Sequence, residues 1–240
     1  MNVLELNNVK KYYKDVKALD GITFQVNENE LFGLLGVNGA GKTTIVKLSS
    51  GLIDYDSGSI SVCGFDVKKE LDKVSQVVNL SPQETSVALN LTVLENLNFF
   101  KDVYGVKDEN IVDELINSFH LEEFKNKKAK TLSGGYQRRL SIAIGLISSP
   151  KLLFLDEPTL GLDVIARREL WNIINNLKSK LTIILTSHYL EEIEALCDRV
   201  AIMKSGKLLA IGTVSEIKKI ANKDSFEDAF IEISGGLYEN

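Results

Sequence analysis

Residues 31–44, LFGLLGVNGAGKTT, contain the pattern from which the fold of this chain is best predicted. It opens with five apolar residues, a run that is typical of a strand buried on both faces. Glycines follow at positions 36, 39 and 41, and Lys42 and Thr43 then begin a segment that favours a helix. The spacing is that of G-x-x-x-x-G-K-[ST], in the strand-to-helix context that this motif requires. We therefore interpret residues 36–43 as a phosphate-binding loop, called the phosphate loop below.

The residue types of the phosphate loop explain its chemistry. Glycines permit positive φ values, which lets backbone N–H groups close around phosphate oxygens. The N-terminus of the following helix adds the positive end of a dipole. Lys42 supplies a point charge to the β- and γ-phosphates, and Thr43 offers a hydroxyl to Mg²⁺. The predicted nucleotide contacts in this region are Gly36, Asn38, Gly39, Ala40, Gly41, Lys42, Thr43 and Thr44.

The segment KLLFLDEP, residues 151–158, supplies a second half-site. Its apolar residues deliver Asp156 and Glu157 to the carboxyl end of a buried strand, where open α/β sheets bind ligands. Two adjacent carboxylates at that position are costly unless a cation or a reactive water uses them. We predict that Asp156 lies at Mg²⁺ and that Glu157 polarises the attacking water. Pro158 cannot donate a ladder hydrogen bond, so it marks the end of the strand.

These two motifs predict a nucleoside triphosphate and Mg²⁺, but they are shared by kinases, switch GTPases and transport ATPases. The sequence contains no N-K-x-D motif, which disfavours a guanine-specific site.

Composition narrows the class of protein. The 240 residues carry 28 basic and 33 acidic side chains, and 44% are hydrophobic. This balance excludes disordered, collagen-like and coiled-coil chains and argues against a dedicated nucleic-acid coat. We expect neither a membrane span nor a secretion leader, because no apolar window reaches about 18 residues and the first residues lack a basic and apolar leader pattern. Cys63 and Cys197 are expected to be free thiols in a reducing compartment, and two histidines are too few for a Cys/His zinc cluster.

Hydrophobic periodicity predicts an α/β fold. We expect short strands within residues 3–35 and 59–80, a helix over 42–50, and helices throughout 84–150. After residue 150, buried apolar strands alternate with helices, which indicates a mostly parallel sheet covered on both faces. We expect a single domain, 1–240, divided as follows: an α/β core from 1–83 and 151–220, an inserted helical lobe at 84–150, and a C-terminal tail at 221–240.

The lobe contains two predicted helix starts. Thr92 and Glu95 fit a capping box, in which each side chain satisfies an orphan backbone N–H group of the first turn. Ser133, followed by Gly134 and Gly135, is expected to cap a helix from Tyr136 to about residue 149. The exposed N–H groups of that second start predict an anion site with no phosphate loop near it in sequence.

The segment LSGGYQRR, residues 132–139, resembles the signature of ABC transporter ATP-binding subunits, LSGGQ followed by basic residues. Other motifs of that family occur in the same order along nearly the whole chain. Gln83 resembles the Q-loop glutamine, residues 160–163 the D-loop and His188 the switch histidine. Tyr13 resembles the aromatic residue that stacks on adenine, although the neighbouring Tyr12 is an alternative.

The resemblance implies a P-loop NTPase (RecA-like) core with a mostly parallel sheet, an N-terminal antiparallel β subdomain and an inserted α-helical lobe. It implies an ATPase in which two copies, or one copy and a paralogous subunit, pack head to tail. Ser133, Gly134 and Gly135 would then contact the ATP held by the partner's phosphate loop. Glu157, Gln83 and His188 would act in hydrolysis, and Thr43, Gln83 and Asp156 would hold Mg²⁺.

The family also implies a cytoplasmic protein on the inner face of the membrane, working with integral-membrane subunits and without nucleic acid. Residues 187–213 and the tail look like drug, antibiotic or polysaccharide exporter subunits, and ion export is equally open. Leu89 and Leu91 are either anchors for the membrane partner or part of the lobe core. Tyr136 replaces the usual signature glutamine, which we expect to alter contacts without preventing ATP-driven closure.

Two rival functions remain at this stage. A soluble ABC ATPase acting on ribosomes or DNA would share these motifs, but such proteins usually have tandem cassettes, long coiled coils or iron–sulfur cysteines. A phosphotransferase kinase would share the phosphate loop but would have no use for the signature helix.

Overall fold

The fold is described for residues 1–235, from a computed structural model. The strands, in chain order, are β1 Asn2–Tyr13, β2 Val16–Asn27, β3 Leu31–Leu35, β4 Ser57–Val62, β5 Phe65–Asp66, β6 Val78–Ser81, β7 Leu152–Asp156, β8 Thr182–Ser187, β9 Arg199–Lys204 and β10 Lys207–Gly212. The helices are α1 Lys42–Ser49, α2 Leu71–Val77, α3 Val93–Val103, α4 Ile111–Ser118, α5 Gly134–Leu146, α6 Val164–Leu177, α7 Leu190–Leu196, α8 Val214–Ala221 and α9 Phe226–Ile233, with 3₁₀ turns at Glu122–Phe124 and Ala129–Thr131.

Two sheets form the α/β architecture predicted from the sequence. The larger sheet has the order β10-β9-β3-β8-β7-β6, and only its edge strand β10 pairs antiparallel. The smaller sheet has the order β2-β1-β4-β5 and is antiparallel throughout. Strand β3, which leads into the phosphate loop, lies between β8 and β9 inside the larger sheet. The predicted fold class is therefore confirmed.

The central strand β3 is buried on both faces, as its apolar run predicts. Phe32 and Leu34 pack in the cluster that joins the two sheets and α1. Leu31 and Leu35 pack in the opposite cluster, together with α5, α6, α7 and the apolar stripe of α4. Period-two alternation explains this division, because successive strand side chains point to opposite faces. Helices of the lobe thus share one apolar cluster with the sheet.

Two expectations for secondary structure are wrong. Residues 75–77 were expected to be strand but end helix α2, and only residues 78–81 pair with β7. A short apolar run does not distinguish a strand from a buried helix turn, and pairing with β7 decides it. Residues 84–91 were expected to be helical but form an irregular segment before α3. Asn96, buried in α3, holds this segment through hydrogen bonds with Ala88 N and the carbonyls of Ala88 and Leu91.

The helix starts of the lobe differ in their caps. Thr92 and Glu95 form the predicted capping box before α3. The expectation for the second start is wrong in two respects: α5 begins at Gly134 rather than at Tyr136, and Ser133 occupies its N-cap position without making a capping hydrogen bond. The N-terminus of α5 is thus open at its first turn. Within residues 1–235, no helix combines the length and hydrophobicity needed to cross a membrane.

Candidate nucleotide-binding site

Parallel pairing brings the ends of three strands to one edge of the larger sheet. Leu35 of β3 pairs with Ser187 of β8, and Asp156 of β7 pairs with Thr186 of β8. An open cleft of about 290 Å³ lies at this edge. Its lining contains Tyr13, Val16, Ala18, residues 38–44, Gln83 and Glu157. The structure therefore gathers the first, second and Q-loop motifs of the sequence around one cleft.

Two glycines of the phosphate loop are required by their surroundings. A Cβ atom at Gly36 would lie 2.4 Å from the carbonyl oxygen of Met203 on β9. Gly41 has a φ of 102°, and a Cβ there would lie 2.6 Å from the carbonyl oxygen of Ala18. The loop thus fits tightly between β9 and β2, and only glycine allows this close approach. The tight fit directs the N-terminus of α1 toward the cleft.

Lys42 is a buried cation at the start of α1. Its Nζ donates to the carbonyl oxygen of Gly36 at 2.6 Å and lies 3.6 Å from Oε1 of Glu157. Burial lowers the pKa of the Lys42 ammonium, whereas the nearby charge of Glu157 opposes that shift. A cation without a strong carboxylate hydrogen bond can exchange these contacts for phosphate oxygens.

Asp156 is buried behind Thr43, which lines the cleft, and the two side chains form an oxygen-rich pair. Oγ1 of Thr43 lies 3.2 Å from Oδ2 of Asp156, and Thr186 donates its hydroxyl to Oδ1 at 2.5 Å. Mg²⁺ binds proteins through one or two carboxylates and completes its octahedron with waters and substrate phosphates. Among residues 1–235, no group of three or more His, Cys, Asp or Glu side chains could hold a metal alone. The donor set of Thr43, Asp156 and Gln83 fits Mg²⁺ that arrives with a triphosphate.

The position of Glu157 is fixed by hydrogen bonds of its backbone, so its carboxylate is not needed to hold the residue in place. Its φ is 49°, in the left-handed region that non-glycine residues seldom adopt. The N–H of Glu157 donates to the carbonyl oxygen of Thr186 at 3.2 Å and to its hydroxyl at 3.0 Å. The carboxylate lies 2.6 Å from Nδ1 of His188, without the alignment of a hydrogen bond. Strained backbone of this kind is concentrated at functional sites.

Tyr13, rather than Tyr12, lines the cleft. The Tyr13 ring is half exposed, and Lys11 lies 5.2 Å from its centroid. The hydroxyl of Tyr12 instead contacts Asp20 in the neighbouring strand at 3.3 Å. Of the two rings, Tyr13 is therefore the one placed to stack on a base in the cleft.

The signature segment, residues 132–139, lies elsewhere on the molecule. Ser133 and Gly134 are exposed, and neither they nor Gly135 belong to the lining of the cleft. Tyr136 packs on Phe124 within the lobe, with ring centroids 4.1 Å apart, and stacks under the guanidinium of Arg139. Within one copy of the chain, the structure does not bring this second anion site to the phosphate loop.

Sequence reasoning missed three polar residues that support the site. Thr186 holds Asp156 and Glu157, Glu192 holds the loops after β7 and β8, and Arg138 reaches the Gln83 segment. Arg138 lies within the signature segment and Thr186 shortly precedes His188, but neither position in the sequence indicated which residues the side chain would hydrogen-bond. Glu192 read as an ordinary charge on an amphipathic helix. The signal that was available was a charged residue at an apolar position of α7.

Glu192 is fully buried and accepts three hydrogen bonds. Oε1 accepts from Thr159 at 2.8 Å and from Trp171 at 3.2 Å, and Oε2 accepts from Ser187 at 2.7 Å. Burial raises the pKa of Glu192 above its ordinary value, although these donors and Arg167 partly offset the shift. The side chain thereby joins α7 to the segments that carry the D-loop and His188.

We expect Glu192→Gln to retain the fold and to change its pH dependence. An acid whose pKa is raised by folding stabilises the protein fully below its unfolded pKa and loses that contribution as pH rises through the folded pKa. The free energy of unfolding of the parent chain, minus that of Glu192→Gln, should therefore fall as the pH rises above the ordinary glutamate pKa of 4.5. Urea unfolding at a series of pH values measures the difference.

The control for this prediction is Glu192→Leu, which strands the Thr159, Ser187 and Trp171 donors. It should lose about 1–3 kcal/mol of stability for each unsatisfied buried group. A difference between parent and Glu192→Gln that does not change with pH would contradict the assignment.

The fold and the cleft together define a P-loop NTPase. A family model described as ABC transporter matches residues 19–160. The linearmycin resistance ATP-binding protein LnrL of Bacillus subtilis (strain 168) is 39% identical across 90% of this chain and 70% of its own length. The probable multidrug ABC transporter ATP-binding protein YbhF of Escherichia coli (strain K12) is 37% identical across 96% of this chain and 41% of its own length.

A solved structure described as an ATP-binding subunit of an ABC transporter superposes with a TM-score of 0.86, at 28% identity, over 96% of this chain and 99% of that one. The chain belongs to the ABC transporter ATP-binding family and is an ATPase. It spans most of LnrL but less than half of YbhF.

Proposed function

We propose that the chain is the ATP-binding subunit of an exporter, in which two subunits bind ATP head to tail and pass the resulting motion to separate membrane subunits. The observation that carries this proposal is the separation of two anion sites within one copy. Lys42 and the phosphate loop line one cleft, whereas the open N-terminus of α5 is exposed elsewhere. A second copy, or a paralogous subunit, supplies the missing half when it packs against this one.

In the proposed reaction, the γ-phosphate is transferred to water, and ADP and inorganic phosphate are the products. Lys42 and the loop N–H groups stabilise charge on the phosphate oxygens. Thr43, Asp156 and Gln83 would hold Mg²⁺, which when bound neutralises part of the phosphate charge. Glu157 accepts the proton of the attacking water. His188, which lies beside Glu157, orients the Glu157 carboxylate and contacts the γ-phosphate.

The exporter branch is supported by the relatives and by an exposed apolar surface. LnrL and YbhF are described as a linearmycin resistance protein and a probable multidrug protein. Leu89, Phe99 and Val103 each have about half or more of their surface exposed. Leu89 lies in the irregular segment that follows Gln83, and Phe99 and Val103 lie on α3, the next helix in the chain. The carbonyls of both Leu89 and Leu91 accept hydrogen bonds from the lobe, but the side chain of Leu91 is partly buried whereas that of Leu89 is exposed. Of the two leucines, Leu89 is therefore the candidate anchor. The cargo is a drug, an antibiotic, a lipid or polysaccharide, or an ion.

We expect the tagged chain, purified from detergent-solubilised cells of its own source, to retain an integral-membrane protein. Leu89→Glu should lose that protein while keeping its ATPase activity, because a charge cannot replace a buried apolar anchor without a desolvation cost. Mass spectrometry of the purified fraction identifies the membrane protein and measures how much of it remains bound.

Leu209→Glu is the matched control. Leu209 is also an exposed leucine, but it lies on the edge strand β10 of the larger sheet and not in the helical lobe. This variant should retain the membrane protein. Recovery of ribosomal RNA or DNA instead of a membrane protein would favour the soluble ABC ATPase and contradict the exporter.

A further inference from the structure

Arg138 is a buried cation on the first turns of α5. Its Nη1 donates to the carbonyl oxygen of Pro82 at 2.5 Å, and its Nη2 donates to that of Gln83 at 2.5 Å. A third, longer contact of 3.4 Å joins Nη2 to the carbonyl oxygen of Glu157. One guanidinium thus contacts the backbone of two proposed catalytic residues and belongs to the helix that begins at the signature glycines.

These contacts are unusual for a buried arginine. Among residues 1–235, no carboxylate oxygen lies within 4 Å of the Arg138 guanidinium, although Asp156 and Glu192 are near enough to act through their charge. A buried charge is costly unless it is paired and hydrogen-bonded. The Arg138 cation, whose burial costs free energy, therefore lies where α5 of the lobe, the Gln83 segment and the backbone of Glu157 meet.

The neighbouring Arg139 has a different environment. It is equally buried but forms an ion pair with Glu169 of α6 and stacks on the ring of Tyr136. Its partners are side chains of the lobe and of α6, and none of them lines the cleft. Adjacent arginines on one helix thus provide a comparison between contact with the site and packing alone.

We propose that Arg138 is a positioning residue, which fixes Gln83 and Glu157 relative to the signature helix so that the orientation of the lobe sets the geometry of hydrolysis. This inference rests on the proposed ATPase site. The planar guanidinium holds two consecutive carbonyls at once, which fixes the direction of the Gln83 side chain on its loop. If α5 tilts when a partner binds, the Arg138 guanidinium moves the Gln83 segment together with α5.

The test compares Arg138→Lys with Arg139→Lys in the full chain. An ammonium keeps the charge but lacks the planar fork that holds both carbonyls. For Arg138→Lys we expect kcat for ATP hydrolysis to fall by about 10-fold or more, since small misplacements of catalytic groups cost up to about 100-fold. The Mg²⁺ concentration for half-maximal activity should rise several-fold, whereas affinity for ADP without Mg²⁺ should change by less than about 2-fold.

Arg139→Lys should keep both kcat and the Mg²⁺ requirement near those of the parent chain. In a Gln83→Ala background, Arg138→Lys should raise the Mg²⁺ requirement no further, because the effect acts through Gln83. Should Arg138→Lys lose cooperative thermal unfolding, Arg138→Gln replaces it under the same criteria, because an uncharged amide is less costly to bury.

The outcomes separate this inference from the proposed function. An active parent chain in which Arg138→Lys behaves like Arg139→Lys, or in which the Mg²⁺ shift persists without Gln83, overturns the role of Arg138 alone. A parent chain that binds ADP but hydrolyses no ATP overturns the proposed site, and the role of Arg138 with it.

Discussion

Glu157→Gln should bind ATP as the parent chain does, lose about 10²- to 10⁴-fold in hydrolysis, and accumulate as a dimer with Mg²⁺ and ATP. The amide has the size of the carboxylate but cannot accept the proton of the attacking water. The backbone contacts that place this residue are made by its N–H with Thr186, so the substitution leaves them intact. Because ATP then persists, the closed dimer that it favours should persist as well.

ATPase assays and size-exclusion chromatography with light scattering measure these two effects. Glu194→Gln is the control, since Glu194 is an exposed glutamate on α7 outside the cleft lining. It should turn over normally and show no ATP-dependent accumulation of the dimer. Full turnover by Glu157→Gln would reject its role, and a strictly monomeric ATP complex at high protein concentration would reject head-to-tail closure.

Two variants that are each inactive should restore activity when they are mixed. Lys42→Ala removes the buried cation of the phosphate loop. Truncating a buried, hydrogen-bonded charge of this kind costs about 2–5 kcal/mol of binding free energy, here for ATP. Ser133→Asp places a carboxylate at the N-cap of α5, where it favours the helix but repels a phosphate. Each homodimer has two defective sites.

A mixed head-to-tail dimer has one site with both changes and one site with neither. Half of randomly paired dimers are mixed, so about a quarter of all sites should be intact, and activity should return to about that fraction. The measurement is the ATPase rate of each variant alone and of the equimolar mixture. Activity that stays at the level of the separate variants would contradict a composite site.

Two controls accompany the mixing experiment. Lys47→Ala, on the same helix α1, should leave ATP affinity unchanged, because Lys47 is exposed and does not belong to the cleft lining. Ser133→Asp should unfold at the same temperature as the parent or higher, because aspartate is a good N-cap and the serine hydroxyl makes no capping hydrogen bond. A loss of activity that came with a loss of stability would point to a folding defect.

The failed secondary-structure expectations have one cause. The run of residues 75–80 and the segment 84–91 are short, and their few apolar side chains are compatible with a helix as well as with an irregular or extended segment. Strand pairing with β7 begins only at Val78, and Asn96 captures the backbone of the preceding segment. Both outcomes depend on contacts with residues outside the segment, with β7 in the first case and with Asn96 of α3 in the second, which the pattern within the segment does not contain.

Sequence alone was enough to predict the phosphate loop, the strand that carries Asp156, and the capping box of Thr92 and Glu95 that begins α3. Each is a contiguous segment whose glycines, apolar runs and caps act over a few residues, so local physics suffices. The folded structure was needed to show that His188 lies beside Glu157, that Thr43 lies beside Asp156, and that Arg138 and Glu192 face inward. Those contacts depend on the order of strands in the sheet and on long-range packing, which bring together groups that the chain keeps far apart.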